Sequence, residues 1–295
     1  MNKGVVYMIF SCLAFSIQNV IVKLLSYTMG TGEIAFFRGF ISALMILGLM
    51  KAQHVHFSPY DHRALWFRGI MGGAGMICIF YALRGMPLAD VSILANTSAF
   101  FVMLFSAIFL KEVLPKGAGV PLIFIFLGAC LVVRPWDFAS FNHYSLFVLA
   151  EAVFAAAAFT TISKLTSSGR HHQYEIVFYF LVCAALSGLL VMGLDYQAPT
   201  WHEWGLYILL GIITVLAQIW MTMAYAAANP VVVSFVAYIS VFFNALWGYV
   251  IFDEVLTILT IAGGIGIIGG SMYLTKLKND RIAQKASVTV RKAKN

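Results

Sequence analysis

Long apolar runs separated by short polar segments follow one another along the whole chain. A helix that crosses a bilayer needs about 20 mostly apolar residues. Ten runs approach this length, so the pattern predicts ten membrane-spanning helices, at residues 4–24, 33–50, 65–84, 90–111, 118–134, 145–164, 175–192, 203–226, 232–252 and 257–276. The basic, polar residues beyond Lys276 cannot bury enough apolar surface, and we expect them to form a disordered tail.

Positive charge lies mostly on one side of this predicted bundle, and that asymmetry sets its orientation in the membrane. With the N-terminus in the cytoplasm, the outer side holds Lys23, Arg84 and Arg134, and Arg38 lies within a helix. The other lysines and arginines of the 19 in the chain then lie on the cytoplasmic side. We therefore expect both termini in the cytoplasm, with the tail against anionic lipid headgroups. This lipid contact accounts for the net charge of +7 without a nucleic-acid partner.

The chain contains an internal repeat. Residues 81–114 align with 223–256 without a gap, eleven positions are identical, and both copies end in Glu-Val-Leu, at Glu112 and Glu254. Residues 33–37 match 175–179 at the same offset. Five helices in each copy is an odd number, so the second copy enters the membrane from the opposite side. The sequence thus predicts an all-α membrane protein of two inverted five-helix halves, with a cavity between them that opens to either side in turn.

Three features carry a resemblance to a known family. They are Phe36-Phe37-Arg38 in the second predicted helix, Tyr81-Ala82-Leu83 at the end of the third, and the acids Glu112 and Glu254 that end the fourth and ninth. In this order, and duplicated, they resemble the EamA-type proteins of the drug/metabolite transporter superfamily, over residues 4–276. The resemblance implies a first EamA repeat at 1–138, a second at 139–276, and a basic cytoplasmic tail at 277–295.

The resemblance further implies transport of a small metabolite through a central cavity lined mainly by helices 1, 3, 4, 6, 8 and 9. Many members place a proline inside helices 4 and 9, 13 positions before the acid, where this chain has Ala99 and Val241. Any kink in these two helices must therefore have another cause.

Composition and motifs exclude several classes of protein. With 61% hydrophobic and 11% charged residues, the chain is not a soluble domain. It has no GxSxG, HExxH or P-loop string, and we expect neither an enzyme nor a cofactor. The four cysteines lie in separate apolar runs and predict no disulfide framework. The histidines of the 51–64 loop lack a shared helical face, so we expect no metal site there.

Two charged side chains inside predicted helices need a partner, water or a ligand, because a charge at the bilayer centre costs about 3 kcal/mol on insertion scales. Glu151 lies in helix 6, which the resemblance places at the cavity. It could neutralise a cationic substrate, carry a proton or pair with a basic residue. Arg38 is a candidate for a structural or coupling role.

Uncharged polar and aromatic side chains supply the other candidate substrate contacts. Polar groups in a membrane helix can equally bond a neighbouring helix, and aromatic rings can simply pack. The candidates are Gln18, Asn19, Asn96 and Gln218 for hydrogen bonds, and Tyr81, Tyr225, Tyr238 and Trp247 for stacking.

These observations favour an inner-membrane carrier of a small polar or amphipathic metabolite that works by alternating access. One hypothesis is export of an amino acid or an analogue. A second is uptake or exchange of a larger cationic metabolite such as S-adenosylmethionine, and a passive channel is a remote alternative.

Overall fold

The computed structural model describes residues 3–98, 100–101, 104–105, 117, 119–133, 142–167, 169–193, 196–227 and 236–294. These residues form α-helices and no β-strand, which confirms the all-helical prediction for the described part of the chain. The helices are α1 (Lys3–Leu25), α2 (Thr31–Ala52), α3 (His62–Leu83), α4 (Leu88–Ala95), α5 (Gly119–Val133), α6 (Tyr144–Ser167), α7 (Gln173–Met192), α8 (Trp201–Ala227), α9 (Ile239–Phe252) and α10 (Ile258–Lys294).

Six of these helices, α1, α2, α3, α6, α7 and α8, are long and apolar enough to cross a membrane. The described parts of α5, α9 and α10 add three shorter apolar helices. α10 continues to Lys294, so the predicted disorder of the tail is wrong. Alanine, lysine and arginine are frequent in this segment and are good helix formers, and they extend a helix that its apolar start has already nucleated.

α2 and α7 pack against each other in antiparallel orientation. A methyl group added at Gly32, Gly39 or Gly188 would lie under 3.0 Å from backbone atoms of the opposite helix. Glycine at these positions is therefore what lets the two backbones approach so closely, as is common where membrane helices associate.

Glu33 and Glu175, at matching positions of the repeat, tie the ends of this helix pair together. Glu33 accepts hydrogen bonds from the backbone N–H of Gly30, at 3.1 Å, and of Gln197, which follows α7. Glu175 accepts one from the N–H of Ser58, which follows α2, at 2.9 Å. Each carboxylate lies in the first turn of its own helix, where the helix dipole favours a negative charge, and binds the loop that follows the other helix.

α4 ends at Ala95, in the middle of the helix predicted over 90–111. The side-chain Nδ2 of Asn96 donates to the carbonyl of Ser92 at 2.7 Å, and the backbone N–H of Asn96 bonds instead to Ile93 at 3.2 Å. Capture of a helix carbonyl by a side chain in this way bends a helix without proline. Tyr238, the repeat counterpart of Asn96, likewise forms a turn at the start of α9.

We expect Gly39→Ala to destabilise the bundle, because the added Cβ would lie 2.6 Å from the backbone nitrogen of Ala185 and force α2 and α7 apart. Overpacking of a well-packed contact costs about 1–3 kcal/mol. Thermal unfolding of the detergent-purified protein measures the effect. Gly48→Ala, in the same helix with open space around it, is the matched control and should be neutral or slightly stabilising. An unchanged melting temperature for Gly39→Ala would contradict the close contact.

Candidate functional site

Two of the predicted substrate residues, Asn19 and Trp247, each form a hydrogen bond across the contact between α1 and α9. Asn19 Nδ2 donates to Asn244 Oδ1 at 3.1 Å, and Trp247 Nε1 donates to Ser16 Oγ at 3.0 Å. Both predicted residues are half-buried. In this conformation each has a protein partner, so these hydrogen bonds join helices.

Arg38 is the centre of a buried polar cluster between α1, α2, α3 and α8. Its side chain is 2% exposed, with Nε donating to Thr214 Oγ1 at 3.0 Å, Nη2 donating to Gln18 Oε1 at 3.1 Å, and Nη1 against the sulfur of Met76. Thr214 Oγ1 also donates to Gln18 Oε1, at 3.0 Å. The structure thus brings two predicted site residues, Gln18 and Arg38, into direct contact.

Arg68 is a buried cation that sequence analysis placed on the cytoplasmic flank. α3 begins at His62, three residues before its predicted start, so Arg68 lies well inside the helix and is only 4% exposed. Its guanidinium carbon lies 4.3 Å from the ring centroid of Phe180, and that of Arg38 lies 5.8 Å from the same centroid. The one sequence signal was Gly72, one turn further on, where a methyl group would collide with both Arg68 and Phe180.

Glu151 and Gln218 each carry a buried side-chain oxygen, Oε2 and Oε1 respectively, with no hydrogen-bond partner among the described residues. Glu151 faces α3 at Gly75, where an added Cβ would lie 3.7 Å from Glu151 Cγ. Buried polar atoms in proteins are nearly always hydrogen-bonded, so these two acceptors are the predicted site residues best able to receive a ligand.

The other predicted site residues are more dispersed. Tyr81 packs in an aromatic group, with ring centroids 5.1 Å from Tyr144 and 4.6 Å from Phe147. Asn96 is engaged with the backbone of its own helix, and Tyr238 is half-buried at the start of α9. The side chain of Tyr225 lies outside the described part of the structure, as does Glu112.

One end of the bundle is closed by a cluster that we call the latch, formed by Lys23, Met86, Leu88 and Glu254. Lys23 Nζ is ion-paired with Glu254 and donates to the carbonyl of Met86 at 2.7 Å, while the N–H of Leu88 donates to Glu254 Oε2 at 2.8 Å. The latch joins the end of α1, the start of α4 and the end of α9. Its charged side chains are 8% and 15% exposed, so salt screens their attraction only weakly.

A cleft of about 660 Å³ opens at the opposite end, between the start of α3 and the end of α6. Pockets for small molecules usually enclose about 300–1,000 Å³. The residues that line the cleft are Asp61, His62, Arg63, Ala64, Phe67, Thr161 and Lys164. The described bundle is therefore joined by the buried ion pair at the latch end and carries a cleft at the other.

Comparison with known families gives a match to two segments of the chain. Residues 2–134 and 143–276 each match the EamA-like transporter family. The chain belongs to this family. As an EamA-like protein it is a membrane transporter and not an enzyme, as the sequence predicted.

Two similar transporters and one solved structure place this EamA-like chain among known proteins. The pseudopaline exporter CntI of Pseudomonas aeruginosa (strain UCBPP-PA14) is 40% identical, over 94% of this chain and 98% of its own length. The riboflavin transporter of Brucella anthropi is 28% identical, over 91% of this chain and 97% of its own length. A crystal structure with 18% identity matches with a TM-score of 0.64 over 94% of this chain and 99% of its own, which shows a shared fold.

We expect Glu254→Gln to loosen the latch of this EamA-like protein, because it removes the ion pair to Lys23 while keeping the size of the side chain. Ser92, a buried residue one turn below the latch, is replaced by cysteine as a reporter in a background without the four native cysteines. If the variant destabilises the closed state by about 1–2 kcal/mol, a membrane-impermeant maleimide added to intact cells should label the reporter cysteine about fivefold faster or more.

The matched control is Asp253→Asn, at the exposed neighbouring acid, whose φ of 53° asparagine also tolerates. In this control variant the reporter cysteine should be labelled at the same rate as in the protein with the unmodified latch. Equal labelling rates in both variants would show that the ion pair does not hold this end closed.

Proposed function

We propose that this protein exports a small polar or amphipathic metabolite across the inner membrane by alternating access. The observation that carries the direction of transport is the 40% identity to the pseudopaline exporter over nearly the full length of both chains. Pseudopaline, or an amino-acid-derived metabolite of similar kind, is the first candidate cargo.

The proposal has ten membrane spans in two inverted repeats, 1–138 and 139–276, with both termini in the cytoplasm. The latch then lies on the outer side, where Lys23 was predicted, and the cleft lies on the cytoplasmic side. This arrangement corresponds to a conformation that accepts cargo from the cytoplasm while the outer exit is shut. The basic end of α10 would lie near cytoplasmic anionic lipid heads.

The cargo would bind between the latch and the cleft. Glu151 and Gln218 offer unpaired acceptors there, and Asn19 and Trp247 can exchange their partners in α1 and α9 for the cargo when α9 moves. Gln18, Asn96, Tyr81, Tyr225 and Tyr238 complete the proposed lining. Support comes from the positions of these residues on α1, α3, α4, α6, α8 and the stretch before and within α9.

The test of export uses a Pseudomonas aeruginosa strain that lacks CntI. We expect expression of this chain to restore pseudopaline to the medium and to lower its level inside the cells. If cells carry the protein in the membrane and still retain as much pseudopaline as the deletion strain, pseudopaline is not the cargo.

A specific observation favours the second hypothesis, uptake or exchange of a larger cationic metabolite. Glu151 presents a buried carboxylate oxygen without a protein partner in the described residues, which suits a cationic group. S-adenosylmethionine accumulation by cells that express the chain tests that hypothesis. A passive channel is separated from both carriers by counter-transport in proteoliposomes, which a channel cannot show.

We expect Glu151→Gln to distinguish these cargo classes. Loss of a hydrogen bond to a charged group weakens binding roughly tenfold to a hundredfold, so transport of a cationic cargo should fall by about that factor, while a zwitterion's should be largely kept. The measurement is the initial transport rate at limiting cargo, normalised to protein in the membrane. Unchanged rates for every cargo would remove Glu151 from the mechanism.

A further inference from the structure

We propose that Arg68, together with Arg38, binds a carboxylate group of the transported solute. This inference rests on the proposed transport function and adds the chemical group by which the cargo is recognised. The binding site would lie where α2 and α3 meet α7, next to the Phe180 ring.

Two permanent positive charges lie within this small region. Arginine stays protonated in proteins, and Arg68 and Arg38 are 4% and 2% exposed. In the described part of the chain neither of them forms an ion pair with an acid. A buried charge without a counter-charge is strongly unfavourable, and inside a membrane protein such groups mark ligand or ion pathways.

The two arginines differ in how many protein groups surround and stabilise their buried charge. Arg38 has Gln18, Thr214 and Met76 around its guanidinium. Arg68 has the ring of Phe180 and the thiol of Cys183 nearby, and its Nε is buried without a hydrogen-bond partner in the described residues. A cation–π contact satisfies none of the five N–H donors of the guanidinium. Among the described residues Arg68 therefore lacks an acceptor for its Nε, and a negatively charged one would also balance the two charges.

The geometry favours a carboxylate as that acceptor. The Arg68 guanidinium contacts Phe180 through a cation–π contact, and its planar fork of N–H donors matches the two oxygens of a carboxylate. The site also lies close to the cleft, because Ala64 and Phe67 line the cleft and precede Arg68 on the same helix. Arg68 therefore lies one turn along α3 from Ala64, which lines the cleft.

Binding by the purified full chain in detergent tests the site without requiring transport. The probes are glutarate, its uncharged diamide glutaramide, and sulfate, each at matched ionic strength, and the readout is the melting temperature as a function of probe concentration. We expect glutarate to raise the melting temperature and glutaramide to have no effect. Equal effects of glutarate and glutaramide would overturn the proposal, and a sulfate effect as large as that of glutarate would overturn its carboxylate specificity.

Arg68→Gln should raise the glutarate concentration for half-maximal stabilisation by about tenfold or more, since a charge-assisted hydrogen-bond pair is lost. The control is Arg84→Gln, which removes an exposed arginine at the far end of the same helix, away from the cleft, and should respond as the unmodified protein does. Arg68→Lys keeps the charge without the planar fork and should bind with intermediate affinity.

A purely structural role for Arg68 predicts a different result. If Arg68 only held the bundle together, Arg68→Gln would lower the melting temperature without probe and leave the glutarate shift intact, and that outcome would overturn the proposal. On the proposal, removal of a charge that lacks a counter-charge leaves the probe-free melting temperature unchanged or higher. A glutarate shift that depends on Arg68, in a protein that restores no pseudopaline export, would refute the proposed cargo while supporting the site.

Discussion

A helical bundle in lipid has to satisfy its polar side chains with partners of its own, because the hydrocarbon offers no water to bond them. α1 shows how this constraint organises the molecule. Along its length Ser16 and Asn19 bond to α9, Gln18 to α2 and α8, and Lys23 to the start of α4 and the end of α9. One helix therefore holds both halves of the sequence repeat together, through polar contacts that any relative movement of the halves must break or exchange.

Much of the fold follows from the lengths of the apolar runs, since each described helix overlaps a predicted span. The partners of the polar residues did not follow, because they depend on how each helix is rotated about its axis. Helices that are apolar on nearly every side carry little periodic signal about that rotation. Gln18 and Arg38 were both singled out, for instance, yet nothing in the sequence indicated that they bond to each other.

Arg68 was misplaced for a related reason. Basic residues were assigned to a membrane face by their distance from the predicted helix ends, so an error in a helix end becomes an error in that assignment. α3 starts three residues before its predicted position. Arg68, near the predicted start of the helix, is thereby the seventh residue of α3, and it lies buried in the bundle. Arg68, Glu151 and Gln218 are among the described residues that carry a buried polar atom without a partner, and they come from three helices that share no sequence motif, so only the packed structure shows which of their atoms are unpaired.

The turn at Asn96 has a consequence for how helix 4 can change shape. A proline ring removes a backbone donor permanently, and a helix bent by proline cannot straighten to a full ladder. Here the Ser92 carbonyl is held by an amide side chain, which can let go in a rotamer change of picoseconds to nanoseconds once it is exposed. The turn at Asn96 is thus held by a contact that the side chain can release and form again, whereas a proline would fix the loss of a backbone donor.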